Sequence, residues 1–127
     1  MSRFEKTAEF PVPSHRLWEI IGNVSRIDWV PTITKCSFDG KIRTMTMLGV
    51  GEIQEEIFLC DQESMLLEYG VVNNTFVKTH QATMRIIPQL GRCTLVWTVV
   101  IEPDSLSTLI EDGVQTALDT LSEMLTA

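Results

Sequence analysis

Between residues 33 and 101 apolar and polar positions alternate with a period of two, the signature of strands with one face buried. Six such runs predict strands at 33–38, 42–48, 52–60, 65–72, 79–87 and 93–101. They are separated by Asp39-Gly40, Gly49-Val50-Gly51, residues 61–64, Asn73-Asn74 and residues 88–91. Every gap is of hairpin length, which predicts an antiparallel sheet. Residues 2–10 add a first strand, stopped by Pro11-Val12-Pro13. Ser14 is then a suitable N-cap for a helix carrying Leu17, Trp18, Ile20 and Ile21, ended by Gly22-Asn23. A second short helix is expected over 24–29, closed where Pro31 biases Val30 away from the α region. After Pro103, with Asp104 placed to cap, the period changes to that of a helix. Leu106, Leu109, Ile110, Gly113, Val114, Ala117, Leu118, Leu121 and Leu125 form one stripe.

The predicted order is β-α-α-β6-α, an α+β fold in a single domain over 1–127. One amphipathic helix covers the concave side of seven strands only if the sheet curves around it. Such a grip leaves space between helix and sheet, the natural place for a ligand. Composition agrees with a packed core: 44% of residues are hydrophobic and 21% charged, which excludes a disordered chain. Ten basic against 17 acidic residues give a net charge of −7, which argues against nucleic acid and against an anionic membrane surface. No leader-like apolar segment is visible at the amino terminus, and no apolar run approaches the roughly 20 residues that span a bilayer, so membrane insertion is not expected. Cys36, Cys60 and Cys93, odd in number and widely spaced, read as reduced thiols in a cytoplasmic protein. No P-loop, dinucleotide-binding glycine pattern or metal motif is present, so no cofactor or metal is expected.

Strand parity predicts which side chains face the helix. The inward sets are Arg43, Met45 and Met47; Ile53, Glu55, Ile57 and Leu59; Leu67, Tyr69 and Val71; His80, Ala82, Met84 and Ile86; and Leu95, Trp97 and Val99. With Gly49-Val50-Gly51 as the turn, Met45 faces Glu55 and Arg43 lies diagonal to it. A four-residue loop over 88–91 would place Ala82 opposite Trp97, with His80 diagonal to the indole. Four polar or amphipathic side chains therefore intrude on an apolar interior: Arg43, Glu55, Tyr69 and His80. The expected cavity wall is Trp29, Met45, Met47, Ile53, Ile57, Tyr69, Ala82, Met84, Trp97, Leu109, Ile110, Gly113 and Val114. Glycine in the middle of the helical stripe costs about 1 kcal/mol against alanine, which calls for close packing or open space beside Gly113.

A carboxylate on an apolar face must be paired, protonated or wet. Glu55 has two readings: a structural ion pair with Arg43, or a polar anchor and acid–base group directed at a ligand. Arg43 divides in the same way, since a guanidinium in a pocket can hold an enolate, carboxylate or ketone oxygen. His80 is either a satisfied half-buried residue or a proton shuttle. No serine, threonine or cysteine stands in a motif that would activate it as a nucleophile.

Pro13 with Leu17-Trp18, the stretch 24–31 with Trp29-x-Pro31, and Arg43 ahead of Gly49 and Gly51 occur in that order along the chain. So does the run Gly51-x-Ile53-x-Glu55-x-Ile57 followed by Asp61, Tyr69, Trp97 and Pro103. In these features the chain resembles the START/Bet v 1-like superfamily, the helix-grip fold, and most of all its bacterial polyketide cyclase/dehydrase-like proteins. The resemblance implies an internal cavity for a lipid-, polyketide- or isoprenoid-like molecule. It also admits a cofactor-independent cyclase or dehydratase that uses Glu55, Arg43, His80 and Tyr69, or a co-chaperone-like module with a protein partner. Two charged residues on the inner face favour the first two of these over the third.

Overall fold

The computed structural model describes residues 1–126. Its strands are β1 (Ser2–Phe10), β2 (Ile33–Phe38), β3 (Ile42–Met47), β4 (Gly51–Asp61), β5 (Leu66–Val72), β6 (Thr79–Gln89) and β7 (Arg92–Glu102). Helix α1 spans Ser14–Ile21, and a 3-10 turn at Asp104–Leu106 leads into helix α2, Ser107–Thr126. All seven strands form one antiparallel sheet in the order β1-β7-β6-β5-β4-β3-β2. The expected α+β helix-grip architecture is what the chain adopts.

The core explains where the space lies. Val114, Ala117, Leu118, Leu121 and Leu125 of α2 join Leu17, Ile20 and Ile21 of α1 and the inner residues of β1, β5, β6 and β7 in one buried cluster. Ile33, Met45 and Ile53 form a separate cluster under the far end of the sheet. Gly113 faces the gap between them, and a Cβ built there meets nothing within 4 Å.

Several local expectations are corrected. Residues 24–32 form successive turns, not a second helix: Arg26 N–H donates to the Asn23 carbonyl, and Val30 N–H to that of Ile27. The segment is too short to repay helix nucleation, and Arg26 instead grips Asp28 through two bonds of 2.7 and 2.9 Å. Ser14 is the first helical residue and caps nothing; Pro13, at φ −60°, makes the entry. Asp104 also caps nothing, because its carboxylate binds the Met1 amino group at 2.9 Å and the Ser2 hydroxyl at 2.8 Å.

Two hairpin registers differ from expectation by two residues, so the inward faces are kept while the partners change. Arg43 stands directly opposite Glu55, and Met45 opposite Ile53, because the ladder runs to Met47 and Gly51 and turns over residues 48–50. Met84, not Ala82, faces Trp97, while Ala82 faces Val99 and His80 faces Ile101. There the ladder continues through Pro88 and Gln89 to a two-residue turn, in which Gly91 at φ 71° supplies the left-handed conformation such turns need. Parity itself fails twice: in β2, where Ile33 faces Met47 but Lys35 faces Thr46, and in β4. Ile57 faces Tyr69 but Leu59 faces Glu68, so Phe58 is an extra residue in a β-bulge. Beyond it Cys60 takes the inward side, opposite Leu67, and Leu59 turns out to solvent.

Candidate functional site

A cavity of about 300 Å³ lies between the sheet and the first half of α2. The turns at 24–32 close one side and the β3–β4 turn forms part of its rim. Trp29, Met45, Met47, Tyr69, Trp97, Leu109, Ile110, Gly113 and Val114 line it, as do Arg43, Glu55 and His80. Ile53, Ile57, Ala82 and Met84 were expected in the wall but do not reach it. Ala82 and Met84 are sealed in the main core, Ile57 packs against that core, and Ile53 belongs to the second cluster. Residues without strand parity were missed: Val24, Arg26, Ile27 and Val30 in the turns, and Leu48 and Val50 on the rim. Apolar residues at the tip of a hairpin, where polar ones are usual, were the available signal for Leu48 and Val50. Asp112 and Thr116 flank Gly113 on α2 and come to the cavity through helical spacing.

The four inner polar side chains converge on this cavity. The Arg43 guanidinium donates from Nε to Glu55 Oε1 at 2.8 Å and approaches the same oxygen through a terminal nitrogen at 2.7 Å. Its other terminal nitrogen donates to the Val24 carbonyl at 3.0 Å, tying the turn segment to the sheet. The guanidinium carbon stands 4.7 Å from the centroid of the Tyr69 ring, a cation–π contact. Arginine suits this position because its planar fork serves three partners at once.

His80 is set by a local irregularity in the sheet. The β5–β6 ladder ends at Tyr69 and Ala82, and beyond it the Val71 N–H donates to His80 Nδ1 at 3.1 Å. That bond assigns the proton of neutral His80 to Nε2. Gly70 makes the arrangement possible, since a Cβ there would collide with the His80 carbonyl oxygen. Burial pushes the His80 pKa below its ordinary value; Glu55 acts against that shift and Arg43 with it. Burial, reinforced by the Glu55 charge, lifts the Tyr69 phenol well above its usual range, so both groups are neutral near pH 7.

Trp29 and Trp97 meet with ring centroids 5.8 Å apart at 53°. Trp97 Nε1 is the one buried side-chain polar atom without a hydrogen-bond partner among the described residues. It lies close enough to Tyr69 to offset slightly the upward push on the phenol, without reaching hydrogen-bond geometry. Burial raises the pKa of all three cysteine thiols, which leaves them poor nucleophiles. Among the described residues no group of acidic, histidine or cysteine side chains could hold a metal ion, and no helix is long and apolar enough to cross a membrane.

A single antiparallel sheet gripping a C-terminal helix over such a cavity is the helix-grip fold. Within it, the chain belongs to the family described as polyketide cyclase/dehydrase and lipid transport, whose model matches residues 1–126. Among solved structures it is similar to protein XoxI from Bacillus cereus, with a TM-score of 0.90 and 17% identity over 99% of this chain and 96% of that one. It is similar also to the Zhui aromatase/cyclase from a Streptomyces species, with a TM-score of 0.83 and 17% identity over 98% and 93% of the two chains. A START superfamily protein from Mycobacterium smegmatis follows at a TM-score of 0.77 and 13% identity over 97% and 98%. At these identities the likeness is one of fold. Comparison with proteins of curated function finds no match.

Proposed function

We propose that this protein binds a compact, largely apolar small molecule in the cavity between the sheet and α2. The observation that carries the reading is the divided core. Among the described residues the two apolar clusters meet only through the half-buried Val30, and the helix residue facing the gap is a glycine. Left unfilled, such a void costs stability in proportion to its volume, and its walls include two methionines and two tryptophans, which adapt to and stack on ligands. At about 300 Å³ it sits at the small end of ligand pockets and suits one or two fused rings better than a long acyl chain. The test is titration with a neutral apolar dye, with native mass spectrometry of the freshly purified protein to identify any co-purifying molecule. Saturation near one dye per chain supports the reading. Absence of binding by every apolar probe of suitable size removes it.

One observation favours a second reading, a cyclase or dehydratase that needs neither metal nor nucleotide. His80 is held neutral in a defined tautomer beside Glu55, whose second carboxylate oxygen accepts no hydrogen bond. In that reading Tyr69 and His80 polarise a carbonyl while Glu55 accepts a proton from the adjacent carbon. Turnover of a short poly-β-ketone by the wild type, lost in a folded Glu55→Gln variant, is its test.

A further inference from the structure

The polar end of the cavity carries more information than its apolar walls. Arg43 commits three of its five N–H donors to Glu55 and the Val24 carbonyl and lies against the Tyr69 ring, and its charge is cancelled by Glu55. Glu55, whose second oxygen accepts no hydrogen bond, and Asp112 both line the cavity. Arg26, the other cation of the lining, is gripped by Asp28, so an anionic ligand would meet the Asp112 carboxylate and, among the described residues, no unpaired cation. Two donors, by contrast, make no hydrogen bond among the described residues and, unlike the sealed Trp97 Nε1, are open to the cavity side: the Tyr69 hydroxyl, and Nε2–H of His80, whose Nδ1 is already taken by the Val71 N–H. Both side chains line the cavity and their rings are 6.0 Å apart. Next to Tyr69 lies the orphaned Trp97 N–H.

Resting on the reading of the cavity as a ligand site, we propose that it selects a neutral ligand whose polar end is a hydrogen-bond-acceptor oxygen. The Tyr69 hydroxyl and His80 Nε2–H grip that oxygen, and Trp97 is a positioning residue for Tyr69. A small shift of the phenol brings its oxygen to the Trp97 N–H. This satisfies the buried donor and turns the phenolic O–H toward the ligand, where each donor strengthens the next. Burial keeps phenol and imidazole neutral, so both donate without a charge that would draw an anion.

Three probes of nearly one shape separate the possibilities: methyl naphthyl ketone, the isosteric isopropenylnaphthalene and naphthoate. The wild type should bind the ketone roughly five- to tenfold more tightly than the alkene, the worth of one or two net hydrogen bonds. Naphthoate should be weakest. The ketone-to-alkene ratio should fall toward one in Tyr69→Phe and in His80→Phe, and being a ratio it cancels any general loosening of the cavity. The carbonyl stretch of the bound ketone should be lowered in frequency, rise in Tyr69→Phe as one of its two donors is lost, and rise by less in Trp97→Phe. Equal affinity for alkene and ketone, tightest binding of naphthoate, or a ratio that survives both substitutions overturns the inference while the cavity reading stands. If none of the three binds, the cavity reading fails and takes this inference with it.

Discussion

Replacing Arg43 by Met and Glu55 by Leu, singly and together, tests whether the pair across β3 and β4 holds the sheet or waits for a ligand. Their side chains are 10% and 12% exposed, and two guanidinium nitrogens contact one carboxylate oxygen at 2.7 and 2.8 Å. Breaking a buried pair by removing one partner costs about 3–5 kcal/mol, since the remaining charge stays buried without compensation. Glu55→Leu should fall near 3 kcal/mol, because Arg43 keeps the Val24 carbonyl and the Tyr69 ring. Arg43→Met should reach the upper end, because it strands both the carboxylate and the Val24 carbonyl and removes the cation–π contact, worth roughly 0.5–2 kcal/mol. The double variant buries no charge and should cost well below the sum, with a coupling of at least about 2 kcal/mol. Urea denaturation of all four proteins, read from midpoints at a common slope, measures the cycle. Additivity within about 0.5 kcal/mol would refute the structural pair. Small losses of stability together with abolished dye binding would show instead that the groups serve the ligand.

Gly113→Leu should abolish dye binding without unfolding the protein, since nothing lies within 4 Å of its Cβ position; normal binding would place the ligand elsewhere. Gly113→Ala should stabilise by roughly 0.5–1 kcal/mol, visible as a Tm rise of a few degrees. Gly70→Ala should destabilise by about 1–3 kcal/mol through its collision with the His80 carbonyl, and thermal melts matching the wild type would contradict the close approach. The depressed His80 pKa means the native state binds fewer protons than the unfolded chain just below the ordinary value of 6.5. Its contribution is therefore fully present above about pH 6.5 and is lost as pH falls from there toward the native pKa. Urea midpoints should decline between pH 7.5 and 5.5, and a His80→Gln variant that declines as steeply would assign the effect to other groups.

Alternation along each strand is local, written residue by residue, and so the inward sets containing Arg43, Glu55, Tyr69 and His80 are legible in the amino-acid sequence alone. The long amphipathic pattern of α2 is legible for the same reason. Partnership is not. A register shift of two residues leaves every side chain on its own face, so alternation carries no information about whether Glu55 faces Met45 or Arg43. That choice rests on how far each ladder runs into its turn, and energies of turn and ladder are settled together. The bulge at Phe58 reverses the parity of Leu59 and Cys60, because one unpaired residue on one strand depends on what its neighbour offers. The turns at 24–32 reach the cavity through the bond from Arg43 to the Val24 carbonyl, a contact 19 residues apart that no periodic pattern encodes. The cavity itself is a difference between volumes: the space enclosed by sheet and helix, less the side chains that fill it. Gly113 hints at that difference, but only packing all the elements together determines its size and which walls enclose it.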